Sequence, residues 1–123
     1  MKAEIDFDKM QGLAPAIVQD AASCDVLMLG FMNREAWERT LSTGYATFFS
    51  RTRSRLWNKG ETSGNRLKVV SACTDCDHDT LLLQVEVEGP GVVCHTGSRS
   101  CFTKPVFPKS AAENDVRARA VLP

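Results

Sequence analysis

Hydrophobic and polar positions alternate most cleanly between Thr80 and Glu88. Leu81, Leu83, Val85 and Val87 fall on one side and Gln84, Glu86 and Glu88 on the other. A period of two marks a strand with one face buried. Ala14 to Gln19 and Val26 to Met32 predict two more strands around the polar turn Asp20 to Asp25. The second is apolar throughout, as a buried strand would be. Asn33 can cap a helix over about 34–42, in which Trp37 and Leu41 lie four apart on one face, and Gly44 suits its stop. Tyr45 to Ser50 predicts a strand from its aromatic and β-branched content, as does Leu67 to Cys73. Val92 to His95 predicts a short strand after the turn Gly89-Pro90-Gly91. Arg51 to Asn65 is polar and punctuated by Gly60 and Gly64, a loop of the kind that carries function. Past Pro105 and Pro108 the pattern weakens. Residues 109–123 are expected as a tail that forms a short helix over 111–121 or frays.

Composition narrows the classes. A chain of 123 residues is one domain by default, placed here at residues 1–108. Its 43% hydrophobic and 24% charged content excludes disorder, collagen-like repeats and coiled coil as whole-chain descriptions. The 15 basic and 15 acidic residues cancel, which argues against wrapping nucleic acid by bulk charge, so any anion site must be local. The longest apolar run falls far short of the roughly 20 residues a membrane helix needs. The start, Met1-Lys2-Ala3-Glu4-Ile5-Asp6, has no signal-peptide core, and the cytoplasm is the expected compartment. In a reducing compartment five cysteines, an odd number, point to metal or redox chemistry before disulfides.

The densest polar stretch is Cys73-Thr74-Asp75-Cys76-Asp77-His78-Asp79. In an extended chain Asp75, Asp77 and Asp79 would project together, with Cys76 and His78 on the other side. Three carboxylates on one face repel one another unless a cation lies between them, and oxygen ligands favour magnesium or calcium. A solvated acidic turn is the plain alternative. An EF-hand loop is excluded, because Thr80 stands where its sharp turn needs Gly and strand-period residues follow. The cysteines leave two metal arrangements open. Cys73, Cys76, Cys94 and Cys101 would make a closed four-sulfur site. Cys76, Cys94 and Cys101 alone would leave the fourth position of a tetrahedral zinc open for water. Buried, inert thiols are the third reading, and Cys24 is expected to be a bystander.

His95, next to Cys94, is either a general base beside a metal-bound water or an ordinary surface histidine. Ser50-Arg51-Thr52-Arg53-Ser54-Arg55-Leu56-Trp57 is a basic stretch in a chain of zero net charge. If extended, Arg51, Arg53 and Arg55 share a face, and Lys59, Thr62, Ser63 and Gly64 follow. Guanidinium forks, hydroxyls and Gly-exposed N–H groups suit phosphate. Trp57 would stack on a base or pack in the core. A charged edge strand is the alternative for the arginines. Arg99 adds a cation between the last two cysteines.

Several strings stand together in one order: Ala16-Ile17-Val18-Gln19-Asp20, Val26-Leu27-Met28-Leu29, Phe31-Met32-Asn33, Ser50-Arg51-Thr52-Arg53 and Leu56-Trp57-x-Lys59-Gly60-Glu61-Thr62-Ser63-Gly64-Asn65. Asp75-Cys76-Asp77-x-Asp79 and Cys94-His95-Thr96-Gly97-x-Arg99-Ser100-Cys101-Phe102 complete the series. Over about residues 13–107 the chain resembles the phosphoribosyl-AMP cyclohydrolases. The resemblance implies the third step of histidine biosynthesis, hydrolysis of the N1–C6 bond of the adenine ring in N1-(5-phosphoribosyl)-AMP. It implies a β-rich α+β fold, mostly antiparallel with few helices, in an interlaced homodimer. It also implies zinc on Cys76, Cys94 and Cys101, with Cys76 from the opposite subunit, and magnesium on Asp75, Asp77 and Asp79. Cys73 falls outside that motif. With no pyrophosphohydrolase domain following, a single activity is expected.

The expected chemistry is a zinc-activated water attacking C6, with His95 moving a proton to N1. The two substrate phosphates need two anion sites, for which Arg51, Arg53, Arg55, Lys59, Thr62, Ser63, Gly64 and Arg99 are the candidates. No nucleic-acid or membrane partner is expected. Two rivals come from other classes: a zinc-closed module gripping RNA through its arginines, and a redox protein using Cys73 and Cys76.

Overall fold

A computed structural model describes residues 3–107 of the chain. The tail expected over residues 109–123 lies outside the described residues. Strands β1 (Ala14–Asp20), β2 (Val26–Met32), β5 (Leu67–Thr74) and β6 (Leu81–Val87) form one sheet in the order β2-β1-β6-β5. Helix α1 (Arg34–Thr43) follows β2, and β3 (Thr47–Ser50) pairs with β4 (Arg55–Asn58) as a separate hairpin. The β1–β2, β3–β4 and β5–β6 pairs are antiparallel, while β1–β6 is parallel, with Ala16 opposite Leu81. The architecture is the expected small, strand-rich α+β domain.

The period-two pattern places the core. Ala14, Ala16 and Val18 of β1 and Leu81, Leu83 and Val85 of β6 are buried. All of these except Ala14 meet Leu27 and Met32 of β2, Ala36 of α1 and Phe48 of β3 in one cluster. Gly30 lets the hairpin approach: a Cβ there would lie 2.6 Å from the Phe48 ring. Asn33 caps α1 by accepting from the Ala36 N–H at 2.8 Å, and Gly44 ends it in a left-handed conformation at φ 82°. The helix face differs from the one predicted. Ala36 and Thr40 are buried, whereas Leu41 is 61% exposed. The Thr40 hydroxyl accounts for this, since it donates to the Ala36 carbonyl and accepts from the Thr47 N–H, stitching α1 to β3.

Two further predictions need correction. Arg51 to Asn65 is not all loop, because β4 lies within it and pairs Trp57 with Phe48, ring centroids 5.7 Å apart. Val92 to His95 is not a strand. Its amides go to loop acceptors instead, Val92 N–H to Asn65 Oδ1 and Cys94 N–H to the Ser98 carbonyl. Left-handed glycines at 91 and 97 set the path.

Candidate functional site

The β3–β4 hairpin, the loop after β4 and the segment around Cys94 enclose an open cleft of about 440 Å³. Arg53, Arg55, Trp57, Lys59, Thr62, Ser63, Cys94 and His95 line it, so half of the candidate site residues singled out in the sequence converge on one place. The arginines arrive by a turn and not by a shared strand face. Residues 51–54 form the hairpin turn, with Ser54 at φ 50°. Arg53 and Arg55 reach the cleft, while Arg51 is drawn off over the Phe31 ring, 4.0 Å from its centroid. The Lys59 ammonium lies 5.3 Å from the centre of the Trp57 ring. Gly64 does not line the cleft but closes the loop, its N–H donating to the Gly60 carbonyl at 2.8 Å. Gly60 is left-handed at φ 84°, and a Cβ there would collide with the Asn65 backbone. Buried Asn65 then ties this loop to Val92.

At one end of the cleft, the sequence from Cys94 to Cys101 folds back on itself. The Cys94 sulfur lies 3.0 Å from Thr96 Oγ1, and the Cys101 N–H donates to the Leu27 carbonyl on β2 at 2.8 Å. The two thiols influence one another's ionisation. Hydrogen bonds from the Thr96 side chain and backbone, with a contribution from Cys101, pull the Cys94 thiol below its ordinary value. Burial, and then the neighbouring Cys94 charge, push Cys101 up to about 11. Two neighbouring sulfurs of which one opposes the ionisation of the other are a donor pair suited to a thiophilic metal such as zinc. His95 is exposed beside them.

Asp75, Asp77 and Asp79 converge as well, with one carboxylate oxygen from each within 4.8 Å of the others. Extended geometry is not the cause. The chain turns here, the His78 N–H donating to the Asp75 carbonyl and His78 standing at φ 66°. Burial pushes Asp75 up, but the Thr80 and Asp79 backbone N–H groups outweigh it and the net direction is down. Asp79 is pushed up by burial and by the charges of Asp77 and Asp75. Such mutual repulsion is relieved by a hard cation. Lys9 partly supplies one, its ammonium donating to the Asp77 carbonyl.

Cys76 sits in this acidic turn, beyond the end of β5, and Cys101 is bound to β2. These are opposite edges of the sheet. The strands they adjoin lie three inter-strand spacings apart, roughly 14 Å, whereas sulfurs sharing a zinc each stand about 2.3 Å from it. Among the described residues the three aspartates are the only metal-like cluster, so neither the four-sulfur site nor the three-cysteine site closes within one chain.

Arg99 departs from expectation too. It does not line the cleft but donates to Asp20, Asp25 and Ser23. Asn58, Glu61 and Gly97 line the cleft without having been anticipated. Asn58 Oδ1 is buried with no hydrogen-bond partner among the described residues. It falls at a position the motif leaves open, so nothing in the sequence marked it. A second cleft, about 590 Å³, lies beside α1 and β5 and is lined largely by apolar groups such as Trp37, Leu41 and Val69. It contains Cys73 but none of the cleft-lining cations. No helix among the described residues is long and apolar enough to cross a membrane.

Comparison with known proteins bears on this arrangement. Residues 28–103 match the sequence profile described as PRA-CH, phosphoribosyl-AMP cyclohydrolase. The chain is 60% identical over 101 residues to a phosphoribosyl-AMP cyclohydrolase of Desulfatibacillum aliphaticivorans, covering 82% of this chain and 80% of that protein. It is 62% identical over 99 residues to a histidine biosynthesis bifunctional protein HisIE of Bacteroides thetaiotaomicron, covering 80% of this chain and 48% of that one. For the HisIE of Escherichia coli (strain K12) the identity is 57% over 101 residues, covering 82% and 49%. The chain thus spans about half the length of these bifunctional relatives.

Proposed function

The chain belongs to the phosphoribosyl-AMP cyclohydrolase family, and from that premise we propose that it hydrolyses the N1–C6 bond of N1-(5-phosphoribosyl)-AMP in histidine biosynthesis. Water adds its oxygen to C6, which becomes the carboxamide carbon. The C6–N1 bond breaks, and N1 leaves with a proton as the formimino nitrogen. The observation that carries the reading is the cleft itself, which joins an Arg/Lys-rich wall to the Cys94-His95 corner.

Cys94 and Cys101 would hold zinc together with Cys76 of the partner subunit. Their fit rests on the paired thiols described above and on the separation of Cys76 from them within one chain. Bound there, zinc supplies a Lewis acid that brings the pKa of water towards about 7. This chain's own residues do the rest. His95 moves the proton from the attacking water to N1. Arg53, Arg55 and Lys59 grip one phosphate, helped by the hydroxyls of Thr62 and Ser63. Trp57 forms the wall against which the base lies. Asp75, Asp77 and Asp79 would hold magnesium, whose role includes neutralising their mutual repulsion. A homodimer in the cytoplasm accompanies this reading.

The reaction is tested by the product: one water gained and the purine absorbance lost. The phosphate wall is tested by Arg53→Ala. A hydrogen bond to a charged group is worth about 1.5–3 kcal/mol, so the Michaelis constant should rise roughly tenfold or more, with turnover much less affected. An unchanged Michaelis constant would remove Arg53 from substrate binding.

A further inference from the structure

The turn between β1 and β2 is held far more tightly than a surface hairpin needs. Its first residue, Asp20, accepts from the Ala22 N–H at 3.3 Å and from the Ser23 hydroxyl at 3.0 Å. The Asp20 N–H donates to the Asp25 carbonyl at 2.8 Å, and Gln19 reaches over to the Cys24 carbonyl at 3.0 Å. Into this rigid turn comes one residue from far along the chain. The Arg99 guanidinium donates to Asp25 Oδ2 at 2.9 Å and to Ser23 Oγ at 3.1 Å, and the nitrogen that meets Ser23 also meets Asp20 Oδ2. Its side chain is 28% exposed, and those of Asp20 and Asp25 are 17% and 11% exposed. A sheltered guanidinium shared by two carboxylates is a fixed point, because its fork bonds both and its charge offsets their mutual repulsion.

What it fixes is the stretch that carries two thiols. Arg99 lies two residues before Cys101 and five after Cys94. Next to it, Ser100 is fully buried and its hydroxyl donates to the Val26 carbonyl at 2.9 Å. The Cys101 N–H then bonds to Leu27. On the other side the loop has, among the described residues, no strand ladder but the Cys94–Ser98 and Gly97–Cys94 backbone bonds. Arg99 therefore anchors an irregular loop to a densely hydrogen-bonded turn.

We propose that Asp20, Asp25 and Arg99 form a positioning clamp that sets the spacing of the Cys94 and Cys101 sulfurs for metal binding. This rests on the reading of those cysteines as ligands. It gives Arg99 a role other than phosphate binding, and it makes two aspartates outside the cleft necessary for the site. Groups that orient ligands from behind typically change metal affinity by about 10–100-fold when altered.

Cobalt(II) is the probe. Bound by thiolates, it gives an intense near-ultraviolet charge-transfer band, and its affinity is measurable by competition with a chromophoric chelator. Two variants of the full chain are compared with wild type. Asp20→Asn keeps one oxygen for the Ala22 N–H but loses the charge and the second oxygen, which Ser23 and Arg99 share, and Arg99→Lys keeps the charge but loses the fork. Far-ultraviolet circular dichroism checks that both are folded. The expected result is a cobalt-thiolate band in wild type and a dissociation constant raised about tenfold or more in both variants. An unchanged dissociation constant in either variant overturns the proposal, even if its melting temperature falls. Absence of the thiolate band in wild type would instead overturn the cysteine-ligand reading, and the clamp with it.

Discussion

A Cys76→Ser chain and a Cys101→Ser chain, each inactive alone, should recover about a quarter of the wild-type rate when unfolded together in equal amounts and refolded. The arithmetic follows from the proposal that the site is shared between subunits. Random pairing puts half the protein into mixed dimers, and each mixed dimer has one site with all three cysteines and one lacking two. Each parent should lose on the order of a thousandfold or more, since a bound metal supplies several kcal/mol of charge stabilisation. The physical ground is the position of Cys76 and Cys101 at opposite edges of one sheet. If both sulfurs came from one chain, no mixture could restore activity. The refolded mixture assayed against each refolded parent distinguishes the two.

His95→Ala should lower turnover by about 10²–10⁴-fold, the usual share of a general acid–base group, while bound zinc stays at the wild-type stoichiometry. His95 is exposed in the cleft directly after Cys94, so it can meet the substrate without holding the metal. Turnover and metal content, measured on the same preparation, separate its roles. Loss of zinc together with activity would make His95 a ligand, and retention of both would make it a bystander.

The regular elements were legible where one physical rule acted alone. Strict alternation gave β6, and Asn33 with Gly44 gave both ends of α1. β4 was hidden because its four residues, Arg-Leu-Trp-Asn, are too short and polar to announce a strand, and it exists only by pairing with β3. Val92 to His95 misled in the opposite sense. Its apolar start looked like a strand, yet its N–H groups are taken by Asn65 and Ser98. The outward turn of Leu41 depends on the Thr40 hydroxyl finding Thr47, a tertiary bond no periodicity encodes.

The site was legible as a list of residues and less so as a geometry. Asp75, Asp77 and Asp79 meet, but through a turn that the assumption of an extended chain did not contain. Three arginines at alternate positions suggested one phosphate wall, yet the hairpin turn sends Arg51 to Phe31 and leaves Arg53 and Arg55 in the cleft. Arg99 looked like a free cation, because its partners Asp20 and Asp25 lie more than seventy positions away. The distance between Cys76 and the other two cysteines emerged only with the strand order.

The central claim is that this cleft opens the adenine ring with help from a thiolate-held zinc. The most direct measurement is the ultraviolet absorbance change on mixing the purified protein with N1-(5-phosphoribosyl)-AMP, before chelation, after it, and after zinc is returned. The predicted result is ring opening that stops on chelation and resumes with zinc. Ring opening that persists in the metal-stripped protein, or none in a folded, zinc-loaded dimer, would contradict it.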